Sequence, residues 1–438
     1  MKNVTSITPM MLEKFEENYA ANQHLSVLSN LLSTQILPEA AFNQTEANKL
    51  RMDFAIEVPT TGITAQKQSG RCWMFATMNV ARERVVQKCN MKEFALSGAY
   101  LAFYDKLEKG NNFFEAVLHY AADPIDSREN KILFTQAIAD GGQWDMAVSL
   151  LEKYGCVPEW VMPETVHSTG TSNWKDVIDE KMRENALELR RMARAGKETE
   201  ERRTEMLAEY YNMLCLLYGS PVKTFDFEYK DKDGVYHVER DLTPKKFYEE
   251  YVGADLQDYF GMLSAPHLDF GRLYSQPFMG DIVEDDILMA NISMDELEAL
   301  AIEQLKSGEV VFFSCDCHAF KERARGYWAK ECFDYEGTLG GITFGMNKRE
   351  KLITGTSTMN HCMVLCGVNF DKDGKPDRWK IENSWGDANG QKGYFICSES
   401  WFREYVYQIV VRKSFLNKDQ KMILTQHPTP MVLWDPVA

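Results

Sequence analysis

The stretch Gln66 to Asn79, QKQSGRCWMFATMN, constrains the fold more than any other part of the chain. A polar turn containing glycine (Gln68-Ser69-Gly70-Arg71) runs directly into Cys72, Trp73, Met74, Phe75, Ala76, Met78, Val80 and Ala81. This second half is apolar around most of its circumference, which predicts a helix buried inside a domain with Cys72 in its first turn. The unpaired N–H groups and positive dipole end of such a turn favour an anion, so a thiol placed there is drawn toward the reactive thiolate. Six residues upstream, the Gln66 amide can reach back beside the sulfur and join the Cys72 backbone N–H in donating to a developing oxyanion. The same spacing also suits a small buried hydrophobe in a core helix, which is the ordinary situation of a free cysteine.

A chain of 438 residues, 45% of them hydrophobic, holds enough material for two or three packed lobes. Its 49 basic and 65 acidic residues leave a net charge of −16, which argues against nucleic acid or an anionic membrane as partner. The segment MKNVTSITPM has no apolar leader core, and no run approaches the roughly eighteen apolar residues of a spanning helix. A cytoplasmic location is therefore expected. The ten cysteines are scattered without a C-x-x-C pair, as expected of reduced, buried thiols. Cys315-Asp316-Cys317-His318 is the one cluster with the composition of a metal site. It lacks a second ligand pair at zinc spacing and closes the apolar run Val310 to Phe313, so no metal is expected there.

In chain order, Thr8-Pro9 predicts a capped amphipathic helix through Tyr19, and a second helix is expected over Leu25 to Gln35. Neither finds a partner nearby, so residues 1–55 read as an arm that packs on the rest of the protein. Phe54 to Val58 is a short extended approach to the central turn. Helical periodicity returns over Ser97 to Lys106 and Phe113 to Ala122, then breaks at Asp140-Gly141-Gly142-Gln143-Trp144. A glycine pair there permits close approach of a ligand to the backbone, and equally suits a plain turn between helices. Asn173 to Tyr218 predicts a helical hairpin broken near Ala195-Gly196-Lys197, with balanced charge and a solvated face. A β-hairpin is expected over Phe225 to Tyr229 and Val235 to Arg240, then a helix over Met294 to Ser307.

The last third is β-rich. His361 opens an apolar strand, Asp371 to Asp377 forms a turn, and the strand Arg378 to Asn383 follows. In an antiparallel hairpin centred on that turn, His361 and Asn383 lie near one another. A neutral imidazole can take a proton from a thiol, and an asparagine oxygen on its far nitrogen would fix orientation and tautomer. Taken singly, His361 also reads as a satisfied histidine at a strand end.

With QKQSGRCWMFA around Cys72, Asn360-His361 and Asn383-Ser384-Trp385-Gly386 in hand, the chain resembles the papain-like cysteine peptidases. It is more similar still to their branch of bleomycin hydrolase and bacterial aminopeptidase C. That likeness also rests on the long gap between Cys72 and His361, roughly twice that of ordinary papain-like enzymes, on the helical insertion filling it, and on the tail motif Trp434-Asp435-Pro436.

The resemblance implies an α+β, two-lobed fold. In it, 56–165 forms the left lobe, 166–308 a mainly helical insertion, 309–415 a β-barrel-like right lobe, and 416–438 a tail reaching the cleft. Cys72 would be the nucleophile, His361 the general base and acid, Asn383 its orienting partner and Gln66 the oxyanion donor. Trp385 would shield the histidine–asparagine pair, and Gly141 and Gly142 would hydrogen-bond the substrate backbone. Peptides with a free N-terminus would be the substrates, with no metal or organic cofactor, in a homohexamer whose active sites face an internal cavity.

In that branch the terminal carboxylate, here that of Ala438, meets the substrate amine and restricts cleavage to the amino end. Only Val437 and Ala438 follow the motif here, fewer residues than in relatives. A few missing residues, at roughly 3.3 Å each when extended, would withdraw the carboxylate by about 10 Å. Dipeptide release or internal cleavage is the alternative, as is a thiol amidase or acyltransferase on the same triad. A non-enzymatic assembly protein would be marked by a lost catalytic residue, and all four positions are filled.

Overall fold

The predicted buried helix is Cys72–Lys88 (α1), and every side chain from Cys72 to Arg82 is buried. The computed structural model describes residues 6–283, 285 and 287–438, so residues 1–5 of the expected N-terminal arm lie outside the described residues. Around α1 stand Gly98–His119 (α2) and Trp144–Tyr154 (α3), while Met294–Lys306 (α4) packs on the opposite side of a sheet. The two predicted helical pieces after α1 are one 22-residue helix. Gly110 made the interior look broken, because glycine costs about 1 kcal/mol in a helix. A Cβ there would lie 2.6 Å from the Tyr210 ring, so the glycine is what lets the next helices lie against α2. Those helices are the predicted hairpin, Lys175–Arg194 and Glu200–Tyr218.

The sheet has twelve strands. Its body consists of Tyr259–Leu263 (β1), Val311–Cys315 (β2), His361–Phe370 (β3), Pro376–Glu382 (β4), Tyr394–Ser398 (β5) and Val406–Arg412 (β6), in the spatial order β1-β6-β2-β3-β4-β5, antiparallel throughout. Leu288–Asn291, Arg272–Ser275 and Thr429–Pro430 extend it beyond β1; Tyr327–Trp328 and Lys321–Glu322 extend it beyond β5. Ile56–Glu57 pairs with β3. Three of these outer pairings are parallel.

Successive residues of β3 face opposite sides. Cys362, Val364 and Cys366 join the core shared with α1, whereas Met363 and Leu365 join Leu297, Leu300 and Ala301 of α4. Burial on both faces explains why this strand reads as a continuous apolar run rather than an alternation. Between α1 and β4 the Arg82 guanidinium meets the Glu382 carboxylate at 2.6 Å, both side chains at most 1% exposed.

The predicted β-hairpin is present as Phe225–Lys230 paired with Tyr236–Leu242. The arm differs from expectation. Helix Pro9–Ala21 is capped by Thr8 as predicted but buries none of its residues, and neither does Gln23–Leu32. The arm first meets the body at Leu25, against Gly340, and docks fully near Ala41, where Phe42 bridges Phe333 and Ala47 is fully buried, leaving Met10, Leu12, Phe15 and Tyr19 exposed.

Candidate active site

Cys72 is the first residue of α1 and the preceding turn is stapled from below. Arg71 sends two guanidinium nitrogens to Glu164 at 3.0 and 3.1 Å and its Nε to Ser69 Oγ at 2.9 Å. The sulfur shares its cavity wall with His361 and Cys362 of β3. The Cys362 thiol is the leading influence that holds Cys72 well below the ordinary thiol value; burial opposes it, and the charge and hydrogen bond of His361 add to it. Cys362 itself is pushed well above the ordinary value, by burial first and by its bond to Cys72 second, so it stays protonated and is the donor of the pair. Its strand neighbour Ser314 places Oγ 3.3 Å from the Cys362 sulfur.

His361 and Asn383 stand at the open end of the β3–β4 hairpin. Val364 pairs with Glu382, so Asn383 follows the last paired residue and His361 precedes the pairing by three. The His361 Nε2 to Asn383 Oδ1 distance is 3.0 Å. Asn383 Oδ1 also accepts the Ser384 backbone N–H at 2.8 Å, which identifies it as the oxygen. His361 must then carry its proton on Nε2, leaving the Nδ1 lone pair for the thiol side.

The same short segment holds Gln66. Ser384 Oγ donates to Gln66 Oε1 at 2.7 Å, the Gln66 backbone N–H donates to Ser384 O at 2.8 Å, and Ala65 bridges Trp385. Gln66 Nε2 donates one hydrogen to Ser69 O at 2.6 Å and keeps a second for another acceptor. Trp385 stacks on the His361 ring at 4.9 Å and carries Arg323 at 4.7 Å from its own ring centroid. It does not line the cavity beside Cys72, so it covers the histidine rather than touching what occupies the cleft.

That cavity, about 420 Å³, is lined by Gln66, Cys72, Gly141, Gly142, His361 and Ala438, with Phe113, Leu133, Phe278 and Met279 supplying apolar wall. The glycine loop is clamped by two lysines of α2. Lys106 Nζ donates to Ile138 O, Ala139 O and Asp140 Oδ1, and Lys109 Nζ to Ala139 O and Gly141 O. Burial pushes the Asp140 carboxyl up, but Lys106 and the Thr171 hydroxyl override it and hold the group well below the usual carboxylate range. Trp73 Nε1 donates to Asp140 O at 2.9 Å. A Cβ on Gly142 would come within 2.5 Å of the Trp73 ring, whereas one on Gly141 would meet nothing within 4 Å. The two glycines therefore differ: Gly142 is needed for packing, and Gly141 leaves open space.

The tail reaches this cavity. Met359 N donates to Pro436 O at 2.9 Å and Gln276 Nε2 to Val437 O at 2.8 Å, which brings Ala438 to the cavity wall. The cluster Cys315 to His318 is spoken for differently: Asp316 accepts from Ser357 Oγ at 2.7 Å and Asn360 Nδ2 at 2.8 Å, orienting the segment that leads into His361.

Sequence reasoning missed Cys362, Ser384, Gln276 and the Lys106–Lys109 clamp. Cys362 and Ser384 each directly follow a predicted site residue, which was the available signal; the clamp had none.

A model of the Peptidase C1-like family matches residues 6–438. The chain belongs to the Peptidase C1-like family. It is 41% identical to aminopeptidase G of Lactobacillus delbrueckii subsp. lactis, over 99% of both chains. It is 38% identical to aminopeptidase C of Streptococcus thermophilus, again over 99% of each. The crystal structure of PepW from Lactobacillus rhamnosis superposes with a TM-score of 0.97 at 37% identity, covering 99% of both chains. This Peptidase C1-like chain is thus a cysteine peptidase of the papain-like α+β fold, similar along its whole length to enzymes named as aminopeptidases.

Proposed function

We propose that the protein is a cysteine aminopeptidase that removes residues from the amino end of peptides through a Cys72–His361–Asn383 thioester mechanism. The observation that carries this reading is the cavity that brings Cys72, His361, Gln66, Gly141, Gly142 and Ala438 together. His361 Nδ1 takes the Cys72 proton, the resulting thiolate attacks the peptide carbonyl carbon, and the oxyanion accepts from the Cys72 backbone N–H and the spare Gln66 Nε2 hydrogen. His361 protonates the departing amine as the C–N bond breaks, then takes a proton from the water that hydrolyses the thioester. Gly141 presents backbone to the substrate chain, and Ala438 closes the side of the cleft where the substrate's own amine would lie. Because Ala438 lines the cavity despite the short run after Pro436, single-residue trimming is favoured over dipeptide release.

Two further elements belong to the proposal. A reducing, cytoplasmic location is supported by ten cysteines that are all free. Assembly into a homohexamer is the second, and the exposed apolar side of Pro9–Ala21 supports self-association.

The test is a peptide of about ten residues and its N-acetylated twin, each incubated with and without a thiol alkylator and followed by mass. Stepwise loss of single residues from the free peptide alone, abolished by alkylation, is the expected result. Cleavage of the acetylated twin, or release of dipeptides, would overturn the exopeptidase reading.

A further inference from the structure

The motif Trp434-Asp435-Pro436 has no chemistry of its own in the proposed reaction, yet it anchors the end of the tail. The Asp435 carboxylate meets His267 Nε2 at 3.0 and 3.1 Å, with the two side chains only 8% and 9% exposed. Since a carboxylate only accepts, Nε2 carries the hydrogen. Asp435 Oδ1 also accepts the Val437 N–H at 3.1 Å, and Asp435 O accepts the Ala438 N–H at 3.0 Å. One residue therefore folds the last turn of the tail and ties it outward. Trp434 lies under the Arg128 guanidinium at 3.9 Å, and Val437 is fully buried.

His267 sits in the connection between β1 and Arg272–Ser275, both part of the main sheet. The neighbouring Gln276 and Met359 take the Val437 and Pro436 carbonyls and themselves line the cavity, Met359 two residues before His361. His267 and Asp435 do not line it. Their bond lies behind the wall formed by Ala438, where it fixes the tail against the same sheet that carries His361.

We propose that the His267–Asp435 pair is a latch that sets how far the tail extends into the cleft, and so how many substrate residues fit on the amino side of the scissile bond. This rests on the reading above that the tail bounds the cleft. Both are positioning residues acting through Ala438. Loss of the hydrogen bond frees the turn at 435–438, the wall retracts, and longer or blocked amino ends are admitted while the chemistry at Cys72 is untouched.

The experiment uses the full chain as His267→Ala, His267→Gln, Asp435→Ala and Asp435→Asn, with a deletion of residues 437–438 as reference. Each is assayed for the ratio of kcat/KM on the free and N-acetylated peptides, and for the rate at which iodoacetamide alkylates Cys72. His267→Ala and Asp435→Ala are expected to lower the free-over-acetylated preference by about tenfold, chiefly through a lower KM for the acetylated peptide, with the alkylation rate unchanged. His267→Gln and Asp435→Asn keep a donor and an acceptor in place and are expected to retain most of the preference. If the deletion abolishes the preference while both alanine variants keep it, the latch is overturned and the tail reading stands. A deletion that keeps the preference overturns the tail reading itself. Asparagine or glutamine variants as defective as the alanines would overturn the hydrogen-bond basis of the latch.

Discussion

The Cys362 thiol and the His361 imidazole both draw the Cys72 thiol below its ordinary value, and the share of each can be measured. A folded-state value below that of an ordinary thiol, about 8.5, means that thiolate persists as pH falls past that point and is lost only below the lowered value. The alkylation rate of Cys72 is therefore expected to stay flat as pH falls past the ordinary thiol value and to drop only at lower pH. In Cys362→Ala the drop moves to higher pH, and Cys362→Ser, which keeps a donor, moves it less. An unmoved profile would assign the effect to His361 alone. The glycine pair offers a second contrast. Gly142→Ala pushes a methyl into Trp73 and is expected to cost about 1–3 kcal/mol in stability together with much of kcat/KM, while Gly141→Ala has room and is expected to fold as wild type. Urea denaturation of the two variants separates them. Cys72, His361, Asn383 and Gln66 were legible because their partners follow from motif and hairpin spacing. Cys362 and Ser384 were not, since their partners Cys72 and Gln66 come from the other end of the sequence.

Helix α1 and strand β4 are joined by Arg82 and Glu382, a buried ion pair one residue from Asn383. Arg82→Leu leaves the carboxylate buried and uncompensated, which is expected to cost about 3–5 kcal/mol. The sign with pH follows from Glu382. Burial already raises its folded value, and without Arg82 it rises further. A carboxyl raised in the folded state favours the protonated fold, so the penalty is full at pH above the raised value and shrinks as pH falls toward the unfolded value of about 4.3. Denaturation midpoints of Arg82→Leu at two pH values check this. Elements with long periodic patterns, such as α1, α4 and the hairpin Lys175–Arg194 with Glu200–Tyr218, were readable from the chain. The strands at 259–263, 272–275 and 288–291 were not predicted. They are only four or five residues long, one contains Gly261, and their pairing with β6 or with each other is set by distant sequence.

At the scale of the whole molecule, the unpartnered side of Pro9–Ala21 is the clearest unsatisfied surface. Met10 is 76% exposed, Leu12 50%, Phe15 49% and Tyr19 53%. Replacing Leu12 and Phe15 by glutamate is expected to collapse a multimer toward the 50.4 kDa chain mass in light scattering, with Cys72 alkylation unaltered. A wild-type protein already at that mass would remove the hexamer from the proposal. The tail has a wider consequence. A groove stopped at one end is a blind alley for polypeptide: a chain enters tip first, to a fixed depth, and after each cut the remainder must let go or be fed forward. Proteins whose amino ends are tucked into their own structure never present such a tip. On this reading the enzyme needs no inhibitor or gatekeeper to spare its folded neighbours, because the dead end built from its own last residues restricts it to loose ends.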